Sequence, residues 1–127
     1  MAKVSAIVLS AGKGRRMNSD IAKQYILIGG KPIIYYSIAA FENSDVDEII
    51  LVTAPGEEDI VRESVVEKYG FKKISRIVAG GKERYHSVFN GLKAIDDTEY
   101  VLIHDGARPM LTPEMISHII RAICRND

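Results

Sequence analysis

Three clusters of residues in this chain carry side chains suited to chemistry. The first is Ser10-Ala11-Gly12-Lys13-Gly14-Arg15-Arg16-Met17, followed downstream by Lys23. Glycines let backbone N–H groups approach a ligand closely, and the cations beside them attract anions. A triphosphate carries roughly four negative charges near neutral pH, so it needs several such donors. Arg16 is expected to point inward, with Lys13 and Arg15 solvated. The second cluster is Gly80-Gly81-Lys82-Glu83-Arg84-Tyr85-His86-Ser87. Its two glycines let the backbone pack against a flat base, and the free N–H groups of a helix start follow. Arg84 and Ser87, at i and i+3, share a face of that first turn. The third is His104-Asp105-Gly106-Ala107-Arg108-Pro109. Asp105 suits Mg²⁺, which takes one or two protein carboxylates and completes its shell with phosphate oxygens and water. Arg108 can contact phosphate or pair with Asp105. Phosphate reception, base packing and a metal-binding carboxylate together point to nucleotidyl transfer.

Other phosphate motifs fit less well. A dinucleotide fingerprint needs a third glycine where Met17 stands, and a Walker A loop needs Ser or Thr where Gly14 follows Lys13. His104 reads as a residue that orients its loop. His86 reads as solvated or packing, and His118 as uninvolved.

These clusters need a scaffold that brings them together. Val4 to Ser10 reads as a buried strand, short, apolar and bounded by glycine. Residues 25–28 read as a short extended piece, and Pro32 suits the first position of a helix. That helix carries Ile34, Ile38 and Phe41 on one stripe. Residues 48–53 and 74–78 read as strands, with a helix over 57–69 between them. Val61, Val65 and Tyr69 face inward on that helix, and Gly70 stops it. Residues 83–95 read as a helix with Tyr85, Val88, Phe89, Leu92 and Ile95 inward. Tyr100 to Ile103 is a fourth strand. Thr112 caps a last helix that opens on Pro113 and buries Met115, Ile116, Ile119, Ile120 and Ile123. Near-continuous apolar strands separated by helices predict an α/β fold, a mostly parallel sheet with helices on both faces. Ligands of such sheets sit beyond the carboxyl ends of the strands. The loops at 10–23, 79–87 and 104–109 all leave such ends, so they are expected to converge on one rim.

Composition narrows the function classes. The chain has 127 residues, 46% of them hydrophobic, with 17 Lys plus Arg balanced by 17 Asp plus Glu. This predicts a single domain, and zero net charge argues against a nucleic-acid partner. One cysteine, Cys124, allows no intramolecular disulfide, and no Cys/His metal spacing occurs. No apolar run approaches the ~18 residues of a membrane span, and no signal-peptide pattern precedes the first strand. A cytoplasmic location is expected.

The segments SAGKGRRM (10–17), Lys23-Gln24-Tyr25, GGKPI (29–33), GGKERYHSV (80–88) and HDGARP (104–109) resemble the cytidylyltransferases of the isoprenoid pathway. That family joins CTP to 2-C-methyl-D-erythritol 4-phosphate. The likeness runs along essentially the whole chain, which matches the N-terminal half or so of the family's length. It implies a Rossmann-like nucleotidyltransferase domain, with residues 1–127 its N-terminal CTP-binding part. It further implies that Ser10, Ala11, Gly12 and Gly14 lie around the CTP phosphates, with Arg16 and Lys23 as catalytic, transition-state-stabilising cations. Gly81, Lys82 and Ser87 match the cytosine-recognising segment. Asp105 matches a ligand of nucleotide and Mg²⁺, and Gly106 and Ala107 lie beside the sugar. Ala22 stands where the family usually has proline, and Lys82 where an acidic residue is frequent. The partners implied are CTP, a polyol phosphate acceptor and, in the full-length protein, a second copy forming a homodimer. Competing expectations are transfer to another polyol phosphate such as ribitol 5-phosphate, a non-catalytic nucleotide-binding module and a plain scaffold. Molybdenum-cofactor guanylyltransferases share the early Gly/Arg loop but match less well at GGKER and HDGARP.

Overall fold

The computed structural model describes residues 3–10, 27–28, 31–95, 97–106 and 112–125. Four strands, β1 (Val4–Ser10), β4 (Glu48–Thr53), β5 (Ile74–Ala79) and β6 (Tyr100–Asp105), form one sheet in the order β5-β4-β1-β6. Every neighbouring pair is parallel. A minimal antiparallel pair, β2 (Leu27–Ile28) and β3 (Lys31–Pro32), precedes helix α1 (Ile33–Glu42). Helix α2 (Glu58–Val61) runs into a π-helical stretch, Arg62–Glu67. Helices α3 (Arg84–Lys93) and α4 (Pro113–Arg125) follow β5 and β6.

The two inner strands, β1 and β4, are nearly continuous apolar runs because both of their faces are covered. Alternate residues of β1 point to opposite sides. Val4, Ala6 and Val8 join Ile49 and Leu51 under Ile34, Ile38 and Phe41 of α1, Val61, Val65, and Ile116 and Ile120 of α4. Ile7 and Leu9 join Ile50 and Val52 on the other face, against Val88, Ala94 and Ile95. The expected parallel α/β architecture is therefore present. Burying one such isoleucine contributes about 1.5–3 kcal/mol, which makes β1 the structural centre.

Pro32 does not begin α1 as its sequence position suggests. It sits one residue earlier with extended backbone, φ −64° and ψ 150°, and pairs with Leu27. The helix over 57–69 is interrupted by the π-helical stretch yet still buries Val61 and Val65. Gly70 ends it with φ +68°, a conformation that favours glycine. Thr112 caps α4 as expected, its Oγ1 accepting the Met115 N–H at 3.2 Å.

Helix α3 is where expectation and structure part. Tyr85 is 68% exposed, Phe89 59% and Leu92 42%, so these rings and this leucine face outward. Ser87 and Gly91 are the buried positions. A Cβ on Gly91 would lie 3.0 Å from Ile7 Cγ2 and 3.2 Å from Val52 Cγ2. At Gly91 the helix lies so close to β1 and β4 that a side chain would crowd Ile7 and Val52. On α4, Ile116 and Ile120 are buried as expected, whereas Met115 and Ile119 are exposed.

Candidate active site at the carboxyl edge of the sheet

A parallel sheet gathers the carboxyl ends of its strands on one edge. Here that edge runs Ala79, Thr53, Ser10, Asp105 in the order of the strands. The loops expected to converge therefore leave from a single rim.

Ser10 is the last residue of β1 and is fully buried, with its Oγ donating to the Val52 carbonyl at 2.8 Å. This bond fixes the point at which the Gly/Arg loop departs. Asp105 ends β6 opposite Leu9 and is half-buried. The next residue, Gly106, donates its N–H to the Leu9 carbonyl at 2.8 Å. A Cβ there would stand 2.9 Å from the same carbonyl oxygen and 3.3 Å from Ile34 Cγ1. Glycine at 106 is thus required for the loop to turn tightly over β1. Ser10, Asp105 and Gly106 come together on adjacent strands. His104 points to the α1 face, its ring 5.7 Å from that of Phe41 in an edge-on arrangement, which suits an orienting role.

The second loop leaves β5, two strands from β1 and roughly 10 Å away at normal strand spacing. Gly80 donates its N–H to the Thr53 carbonyl at 2.7 Å, which extends the ladder by one bond. Gly81 donates to Ser87 Oγ at 3.1 Å, and Ser87 is only 4% exposed. The Ser87 hydroxyl therefore ties the start of α3 to the Gly80-Gly81 turn. Lys82 and Arg84 are exposed. Arg84 and Ser87 share a face of the helix by spacing, but only Ser87 is enclosed. Ala11, Gly12, Gly14, Arg16, Lys23 and Ala107 lie outside the described residues.

His86, read from the sequence as solvated or packing, makes specific contacts here, and Asn90 was not singled out from the sequence. His86 accepts the Glu83 N–H on Nδ1 at 3.3 Å, stacks beside Tyr85 and fills the space next to Gly81, where a Cβ would overlap its own. The Glu-x-x-His spacing at a helix start was the available signal. Asn90 donates from Nδ2 to the Ala79 carbonyl at 3.0 Å. It stands three residues after Ser87, on the same side of the helix.

Among the described residues, no group of three or more His, Cys, Asp or Glu side chains is placed to hold a metal ion. A single half-buried carboxylate at a strand end fits a hard cation completed by phosphate oxygens and water, and does not fit an all-protein cage.

Comparison with known proteins gives the family and agrees with the fold. The family model for 2-C-methyl-D-erythritol 4-phosphate cytidylyltransferase matches residues 4–126. A protein of that name from Lachnoclostridium phytofermentans is 50% identical over 123 residues, 97% of this chain and 53% of its own length. Another from Clostridium kluyveri is 51% identical over 117 residues, 91% of this chain and 51% of its own. The crystal structure of 4-diphosphocytidyl-2C-methyl-D-erythritol synthase from Anaerococcus prevotii superposes with a TM-score of 0.80 at 36% identity, covering 96% of this chain and 51% of that one. The chain spans about half the length of the curated relatives it matches. With the matched segment running from the start of β1 to the end of α4, and with the parallel sheet and its rim in place, the chain belongs to the 2-C-methyl-D-erythritol 4-phosphate cytidylyltransferase family.

Proposed function

We propose that this chain carries the CTP-receiving part of an enzyme that transfers CMP from CTP to 2-C-methyl-D-erythritol 4-phosphate, releasing pyrophosphate. The observation that carries the reading is the shared edge. The exit of β1, the Gly80-Gly81 turn and the Asp105-Gly106 turn all leave one rim of a parallel sheet. Support also comes from membership of the family.

In the proposed reaction an acceptor phosphate oxygen attacks the α-phosphorus of CTP. A new P–O bond forms, the bond from the α-phosphorus to the bridging oxygen breaks, and pyrophosphate leaves with the electron pair. The nucleophile is ionised near pH 7, so no general base is needed. The residues must align the reactants and offset charge. The Gly12–Gly14 backbone would receive the phosphates, and Arg16 and Lys23 would stabilise the charge that develops. Removing one such donor typically lowers the rate about 10²–10³-fold. The Gly81–Lys82 segment and Ser87 would bound the cytosine, with Gly106 and Ala107 beside the sugar. Asp105 would hold Mg²⁺, which supplies charge neutralisation at the phosphates. A cytoplasmic homodimer is part of the same reading. Its support is membership of the family.

Calorimetric titration with CTP, GTP and NAD in the presence of Mg²⁺ tests the reading. CTP is expected to bind, with GTP and NAD binding at least tenfold more weakly, roughly the discrimination a few hydrogen bonds to a base supply. Equal affinity for GTP, or no affinity for CTP, contradicts it.

A further inference from the structure

The Gly80-Gly81 turn is held from behind by a residue with no assigned role. Ala79 is the last residue of β5, an edge strand of the described sheet. Successive residues of a strand direct their polar groups to opposite sides. The Gly80 N–H points to β4 and donates to Thr53, so the Ala79 carbonyl points away from β4. No strand among the described residues receives it there. An unpaired, partly buried carbonyl is costly, and the Asn90 amide meets the demand at 3.0 Å. Ser87, one turn earlier on α3, accepts the N–H of Gly81. Helix α3 thus grips the turn on both sides of Gly80, through Asn90 before it and Ser87 after it.

The geometry points to Asn90 as a positioning residue for nucleotide recognition. It presets the Gly80-Gly81 turn against α3, so that the turn need not be ordered when the base arrives. The role rests on the reading that this turn bounds the cytosine. It differs from that of Ser87, because Asn90 lies a turn further from the rim and acts only through the Ala79 carbonyl. Preorganisation of this kind strengthens binding by lowering the ordering cost.

The test uses the whole chain with Asn90→Asp, which keeps the size of the side chain and replaces its donor with an acceptor. Asn90→Ala is the second variant and introduces no charge, and Asn90→Gln retains the donor on a longer arm. Two readouts are taken: the CTP dissociation constant with Mg²⁺, and hydrogen exchange of the Gly81 amide without ligand. Asn90→Asp and Asn90→Ala are expected to weaken CTP binding and to accelerate Gly81 exchange, each about tenfold, the scale of one lost hydrogen bond. Exchange at Gly106 should not change, and Asn90→Gln should recover part of both effects. If wild type binds CTP and the folded variants bind it equally, or Gly81 exchange is unaltered, the inference is wrong and the reading of the site stands. If wild type binds no CTP, the reading of the site fails and the nucleotide role of Asn90 fails with it.

Discussion

Glu48 shows how individual residues divide labour between the two edges of the sheet. It opens β4 at the amino edge, far from the rim that carries the candidate site. Burial pushes its carboxyl toward higher pKa. Hydrogen bonds from Ser5, Lys3 and Ser75, with the positive charge of Lys3, outweigh burial and hold it below the ordinary glutamate value. The Ser5 hydroxyl donates at 2.7 Å, Ser75 at 2.8 Å, and the Lys3 ammonium stands at 3.0 Å. A carboxyl whose pKa is depressed by folding stabilises the fold above its unfolded value, and that contribution is lost as pH falls through the folded value. Wild type should therefore be more stable than Glu48→Gln at pH 7, and the gap should close on acidification below about pH 4. Thermal melts of both proteins from pH 7 to pH 3 measure it. A gap that stays constant with pH contradicts the assignment. None of this network was legible from the sequence. Lys3, Ser5, Glu48 and Ser75 are scattered along the chain, and only the parallel register, which sets Ser5 opposite Glu48, brings them together. The rim residues were easier to read. Ser10 directly follows an apolar run, Asp105 and Gly106 stand within three residues of another, and a strand's end fixes where the following residues stand.

Elements were legible where one force decides them. The inner strands β1 and β4 announce themselves because a strand covered on both faces is apolar at most positions. Helix α1 does so because Ile34, Ile38 and Phe41 are buried at helical spacing. Helix α3 misleads because two forces compete. Tyr85, Phe89 and Leu92 make an apolar stripe, but Ser87 and Gly91 allow a closer approach to the sheet, and they take the inner face together with Val88. This account predicts that Gly91→Val lowers stability by about 1–3 kcal/mol, although valine is the better helix former. Urea denaturation measures the change. An unaltered midpoint would show that α3 can retreat from Ile7 and Val52 without loss. The same closeness matters for the site, since α3 carries Ser87 and Asn90 to the Gly80-Gly81 turn.

At the scale of the molecule, the amino edge is a lattice of polar ties and the carboxyl edge a row of turns. Val4 N–H donates to Asp47 at 2.7 Å, and the Lys73 ammonium donates to the carbonyls of Ser44 and Val46 at 2.7 and 2.9 Å. Glu42 accepts the N–H groups of Lys72 and Lys73, which fastens the end of α1 to the approach to β5. Such ties hold the strands in register at the edge opposite the candidate site. The central claim is that CTP is received along that opposite edge. Amide chemical shifts recorded as the ¹⁵N-labelled chain is titrated with CTP and Mg²⁺ test it directly. The account predicts shifts at Ser10, Gly81, Ser87, Asp105 and Gly106, with Ser5, Glu48 and Thr98 unmoved. Perturbations centred on the amino edge, or a carboxyl edge that does not respond, would contradict it.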